Sequence, residues 1–121
     1  MDTIIDRLEK IKLKISSLKP DKLINVIAVS KTFPLDYIQP LIDHGHTHFG
    51  ENKVQEAEKK WSDTLSKNKN IELHIVGPIQ SNKMKPAIEI FSAIHSIEKI
   101  KTLKIINENL SSNSKLKQLF L

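Results

Sequence analysis

Ile24-Asn25-Val26-Ile27-Ala28-Val29-Ser30-Lys31-Thr32-Phe33-Pro34 is the stretch from which the fold is read. Val26, Ile27 and Val29 are β-branched and follow one another with too few polar residues between them for a solvated face. A run of this kind suits a strand of a parallel sheet, buried on both faces, and we place it at 24–30. Pro34 suits the first position of a helix, where its preset φ helps and its missing N–H costs nothing. Lys31 therefore falls at the carboxyl end of a strand, in a strand-to-helix loop. Ligands bind at that end in open α/β sheets and in α/β barrels. Partial burial there makes Lys31 a candidate amine nucleophile or Schiff-base former. The plainer alternative is a lysine that marks the strand end and reaches water.

Outward from this stretch, strands and helices alternate. Before it, Ile4, Ile5, Leu8, Ile11, Ile15 and Leu18 keep helical spacing over 3–18, with Asp2 or Thr3 as the cap. Lys19-Pro20-Asp21 is a turn. After it, a helix over 34–44 turns Leu35, Ile38, Leu41 and Ile42 inward and ends at Gly45. Pro40 is awkward inside that helix, because it removes a hydrogen bond. His46 to Phe49 reads as a second strand, and His46 and His48 share one side of it. A helix over 53–67 carries Val54, Ala57, Trp61 and Leu65. Glu72–Val76 is a third strand, followed by a helix over 82–90 that Ser81 caps. Ala93 to Ile97 is a fourth strand. A helix over 98–110 follows, with Ile100, Leu103, Ile106 and Leu110 on one stripe. Ser111-Ser112-Asn113-Ser114 is a loop, and 116–121 opens a fifth strand.

This alternation implies right-handed crossovers and a parallel sheet. The chain has 121 residues, about half of the roughly 250 that a closed eight-stranded barrel takes. The expected fold class is α/β. It is a partial (β/α)8 barrel of the TIM type, about the first four to five strands, with an N-terminal helix, forming one truncated domain over 1–121.

Composition narrows the function. Hydrophobic residues make up 39% and charged ones 27%, as in ordinary globular domains. The net charge is +5, but the lysines are scattered and aromatic residues are only 5%, so a nucleic-acid surface is poorly supported. With no cysteine there is no disulfide framework and no thiolate metal site. No apolar run approaches a membrane span. The first residues carry acid early and lack a signal-peptide core, so a cytoplasmic protein is expected.

Three strand ends bring polar groups to one rim: Ser30-Lys31, Gly50-Glu51-Asn52, and the segment from His74 to Lys83. Glu51 reads either as a general base or, more commonly, as an acid favoured by a helix start. Ser81-Asn82-Lys83 reads as a cap or an anion holder. The histidines lack a third ligand for zinc, and no metal is expected.

Together, Ala28-Val29-Ser30-Lys31-Thr32, Phe49-Gly50-Glu51-Asn52 with Val54-Gln55-Glu56, and His74-Ile75-Val76-Gly77-Pro78-Ile79-Gln80-Ser81-Asn82-Lys83 resemble the pyridoxal-phosphate homeostasis protein family. That family has a single-domain barrel similar to the N-terminal barrel of alanine racemase. The resemblance runs from about residue 5 to 121 and reaches the first half of the family's barrel. It implies that Lys31 forms the internal aldimine with pyridoxal 5′-phosphate (PLP), that Asn52 lines the cofactor pocket and that His74 lies nearby. Gly77, Gln80, Asn82 and Lys83 are then structural or rim residues. It also implies a carrier that buffers the cofactor, not a catalyst. The family's phosphate grip comes from later strands.

The expected partner is thus a small-molecule cofactor, with no nucleic acid and no membrane. An open barrel edge adds self-association, or complementation by a C-terminal half. The alternatives are a non-functional fragment of a split or decayed gene and, less favoured, an amino-acid racemase-type enzyme.

Overall fold

A computed structural model describes residues 3–95, 97, 99–112 and 114–120. Asp2 as a cap, Ser96 in the fourth strand, Glu98 at a helix start, Asn113 in the loop and Leu121 in the fifth strand lie outside these described residues. Five helices and five strands alternate: α1 (Ile4–Ser17), β1 (Ala28–Val29), α2 (Leu35–Asp43), β2 (His48–Glu51), α3 (Val54–Lys67), β3 (Glu72–Ile75), α4 (Met84–Ile90), β4 (Ala93–Ile94), α5 (Ile100–Asn109) and β5 (Gln118–Leu119). A 3-10 turn, Ser81–Lys83, leads into α4. The strands form one sheet in the order β1-β2-β3-β4-β5, and every pair is parallel. This is the expected α/β fold, an open run of barrel-type β/α units.

Local chemistry explains the helix ends. Thr3 accepts from the Asp6 amide while Asp6 accepts from the Thr3 amide, a reciprocal capping box that starts α1. Gly45 adopts φ +97°, the left-handed conformation that closes α2. Pro40 does not break α2, which runs on to Asp43 with Pro40 on its exposed side. Pro34 precedes the first turn as its cap residue. Ser81 makes no capping bond, because it lies inside the 3-10 turn, whose Lys83 amide donates to the Gln80 carbonyl.

The core lies between the sheet and its helices. Phe49, Leu73, Ile75 and Ile94 point into it and meet Trp61 and Ala57 of α3 and Met84, Ala87 and Ile88 of α4. Side chains alternate along a strand, so the residues between these point to the opposite, concave face. Two expectations fail for one reason. The stretch 24–30 is not buried on both faces: only Ala28 and Val29 pair, Ile24 and Val29 are half exposed, and Leu23 is almost fully exposed. Likewise only Ile106 of the α5 stripe and Leu8 of the α1 stripe are buried. These elements are the first and last of a one-sided stack, and a terminal layer has a neighbour on one side only.

Replacing Phe49, which is fully buried, with alanine should cost about 3–5 kcal/mol. Ile100→Ala, on an exposed position of α5, should change stability by less than about 0.5 kcal/mol. Urea unfolding of the two variants measures both.

Candidate functional site

The carboxyl ends of the parallel strands form one rim, and Lys31 stands on it. Ser30 follows β1, donating its amide to the Gly50 carbonyl at 2.8 Å. The Phe33 amide donates back to the Ser30 carbonyl at 3.2 Å, closing a tight turn with Lys31 and Thr32 at its two central positions. Lys31 is exposed rather than partly buried, and its ammonium has no hydrogen bond or ion pair among the described residues. Val29 pairs in register with Gly50, and Ser30 bonds to the Gly50 carbonyl before the chain turns, so Lys31 leaves the sheet just beyond the last paired residues of β1. Gly50 is in turn level with His74. Asn52 follows Gly50 by two residues, so His74 lies one dipeptide step below Asn52, about 7 Å along the strands. Lys31 and Asn52 thus follow the carboxyl ends of β1 and β2, and His74 lies within β3, its ring on the face that carries His48 and His95.

Asn52 closes against the next rim loop. A Cβ on Gly77 would meet Asn52 Oδ1 at 2.1 Å and its carbonyl oxygen at 2.6 Å, so only glycine fits there. Beyond this contact, a cavity of about 550 Å³ is lined by Asn52, Lys53, Val54, Gln55, Glu56, Pro78, Ile79, Gln80 and Lys83. Lys31 and His74 are not among its walls. Gln80 and Lys83 are rim residues, as the third motif implied, and Ser81 and Asn82 are exposed beside them.

His74 belongs to a chain of imidazoles that the sequence reading did not assemble. His48 Nδ1 lies 3.1 Å from His74 Nε2, and His74 Nδ1 lies 2.9 Å from His95 Nε2. His95 stacks on Phe120, with ring centroids 4.5 Å apart. At the other end Glu72 Oε2 is 3.4 Å from His48 Nδ1, and Glu72 also pairs with Lys117. Glu72 favours the proton on His48 Nδ1. The bonds then run one way, His48 to His74 to His95, and His74 carries its proton on Nδ1. His46 is not part of the chain and does not share the side of His48. It precedes β2, is buried, and meets Phe49 edge-on. Among the described residues no group of three or more His, Asp or Glu is arranged to hold a metal ion.

Glu51 fits neither reading offered for it. It points away from the rim into the helix layer and is fully buried. Its Oε2 accepts from Ser30 Oγ, from Lys60 Nζ at 3.0 Å and from Trp61 Nε1 at 3.1 Å. Of this cluster the sequence signalled Trp61, on the apolar stripe of α3, while Lys60 read as an ordinary helix lysine.

With this geometry in place the comparisons are informative. A pyridoxal phosphate homeostasis protein of Pasteurella multocida is 38% identical over 90 residues, covering 74% of this chain and 39% of that protein. One from Escherichia coli is 33% identical over 114 residues, covering 89% of this chain and 49% of that protein. This chain is a relative of the pyridoxal phosphate homeostasis proteins. It spans less than half the length of these curated relatives. Among solved structures, PipY of Synechococcus elongatus, with PLP bound, is similar at 34% identity and a TM-score of 0.66, covering 79% of this chain and 46% of that one. No family model matches the chain. No helix among the described residues is long and apolar enough to cross a membrane.

Burial pushes the imidazoles of His48 and His95 below their ordinary range. His74 falls furthest, to about 4, through burial and then through the charges His95 and His48 would carry. Unfolded, His74 titrates near 6.5. Between those values the unfolded chain takes up a proton that the folded chain refuses, so stability falls as the pH drops through this window. The loss approaches about 3 kcal/mol by pH 4, at 1.36 kcal/mol per pH unit. Melting temperatures from pH 7.5 to 4 should show this slope, and His74→Gln should flatten it.

Proposed function

We propose that this chain acts in intracellular pyridoxal phosphate homeostasis as a cytoplasmic cofactor carrier, one barrel-type domain that holds PLP through Lys31. The observation that carries the reading is Lys31 itself: an amine with no partner among the described residues, raised on a tight turn at the carboxyl end of β1 and next to the strand end that carries Asn52. When bound, pyridoxal phosphate supplies an aldehyde that joins to a lysine amine. Lys31 provides that amine at a position open to an incoming ring. Asn52, half-buried and packed against Gly77, offers a fixed amide at the pocket wall. His74, bonded on both ring nitrogens, is held neutral and gives a rigid floor. The names of the relatives and the PLP-bound neighbour support the same reading.

The described residues fit the aldehyde end of the cofactor better than its phosphate. Phosphate is gripped by backbone N–H groups of glycine-rich loops and long helix starts, whereas Gly45, Gly50 and Gly77 stand singly. Each missing charge-assisted bond is worth about 1.5–3 kcal/mol. Two or three of them weaken binding by about two to six powers of ten. Among the described residues nothing in the rim pairs an acid with a base across a substrate, which favours a carrier over a racemase-type enzyme.

Titration with PLP should give a new absorption band that borohydride fixes on Lys31, and Lys31→Ala should abolish it. Label spread evenly over the many surface lysines would defeat the proposal.

The open sheet edges add a second expectation. Co-expression with the C-terminal half of a full-length relative should raise PLP affinity at least a hundredfold, read by fluorescence titration. Micromolar affinity in the chain alone, unchanged by the added half, would show an anion site of its own.

A further inference from the structure

We infer that Lys60 is a positioning residue for Lys31, holding from behind the sheet the turn on which Lys31 is carried. This rests on the reading of Lys31 as the cofactor's lysine. The side chain of Lys60 is 8% exposed, an unusual place for an ammonium. Its Nζ donates to the Ser30 carbonyl at 2.6 Å and to Glu51 Oε2 at 3.0 Å. Ser30, adjacent to Lys31 in the chain, is bound at every polar atom. Its amide reaches Gly50, its hydroxyl is shared by Glu51 and Gly50, and its carbonyl takes both Lys60 and the Phe33 amide.

The other side of Lys31 is held as well. The Thr32 amide donates to Glu56 Oε1 at 3.1 Å, and Glu56 belongs to the same helix as Lys60. Thr32 has φ +68°, in the left-handed region that a β-branched residue avoids. This is the turn position where glycine is the usual choice. Such a conformation persists only where the surroundings over-determine it. Here the surroundings are two side chains of α3, at positions 56 and 60, one turn of helix apart. They grip the residues before and after Lys31 and leave its own side chain unbound. The consequence is a fixed Cα direction for an otherwise exposed lysine, which lowers the ordering that cofactor capture requires.

The test uses the whole chain with two readouts. One is the share of borohydride-fixed PLP found on Lys31. The other is amide hydrogen exchange at Thr32, read without cofactor. Lys60→Met should lower the Lys31 share at least tenfold and speed Thr32 exchange, while Lys60→Arg, which keeps the charge and the donors, should recover part of both. Because Lys60→Met strands a buried carboxylate, the double variant Glu51→Gln/Lys60→Met removes both charges together and should show the same two losses in a folded chain. Unchanged Lys31 labelling and unchanged Thr32 exchange in a folded variant would overturn the inference. Selective Lys31 labelling that survives while exchange accelerates would overturn it too, and leave the cofactor reading standing. Faster exchange in the variants, with no selective labelling even in the unaltered chain, supports the clamp and overturns the cofactor reading alone.

Discussion

A carboxylate with no solvent exposure sits between the sheet and α3, and the rim of this protein depends on it. Taking Glu51 out of water costs several kcal/mol unless donors replace the lost hydration. Ser30, Lys60 and Trp61 all supply donors to the one oxygen, Oε2. They come from the end of β1 and from the second turn of α3, so the charge can be buried only when β1, β2 and α3 are assembled together. Strand and helix edges that would otherwise meet through apolar contact alone are thereby set in one register. Phe49, two residues earlier on β2, packs on the same Trp61 ring with centroids 5.0 Å apart. The polar and apolar sides of that indole thus fix α3 against the sheet in two independent ways.

The two faces of the sheet follow different rules. The helix-covered face is a close-packed apolar layer in which Phe49, Leu73 and Ile75 are fully buried. The concave face carries His48, His74, His95 and Phe120, joined ring to ring across four successive strands. Parallel sheets are ordinarily covered on both faces. A chain of neutral imidazoles is one way to line the uncovered side, since each ring satisfies its neighbour's nitrogen and presents aromatic surface. The central member is bonded on both nitrogens, so protonating it breaks a bond without making another. His74 is pushed further down than the members on either side because it is buried and because a charge on it would face those of both neighbouring imidazoles.

The order of elements was legible in the sequence because turn residues and apolar runs punctuate it. Gly45, Pro34 and the 24–30 run placed β1, α2 and their junction, and the parallel pairing followed from the alternation alone. Lys31 was legible from its place at a strand end, whereas Asn52 and His74 were legible only as members of motifs; that His74 joins His48 and His95 on one face required the pairing of the strands. Burial was less legible. The stripes of α1 and α5 are as regular as that of α3, yet α1 packs on α2 and α5 on α4 at the two ends of the stack, and periodicity cannot report how many neighbours a helix has. Ser81 looked like a cap because a serine before a helix usually is one, but a 3-10 turn places it inside the first turn. Lys60 was invisible for another reason: a lysine on a helix reads as solvated, and nothing in its neighbours announces a buried carboxylate nine residues earlier.

The pairing of Glu51 with Lys60 also explains why Lys31 has no partner. A strand end that carries a serine, a lysine and a nearby glutamate would ordinarily draw the lysine onto the carboxylate, and the amine would then be held in an ion pair. The fold prevents this geometrically, because Ser30 and Glu51 are buried against α3 while Lys31 sits in the exposed turn beyond β1. Lys60 prevents it electrostatically, because it neutralises Glu51 inside the layer at 3.0 Å. Two lysines near the end of β1, one buried on α3 and one exposed in the turn, therefore divide the work. The buried one satisfies a charge and a carbonyl, and the exposed one is left uncommitted. Exchanging their surroundings would bury the Lys31 amine and strand a carboxylate in an apolar layer, which is why the packing behind the turn, more than the lysine itself, leaves position 31 exposed.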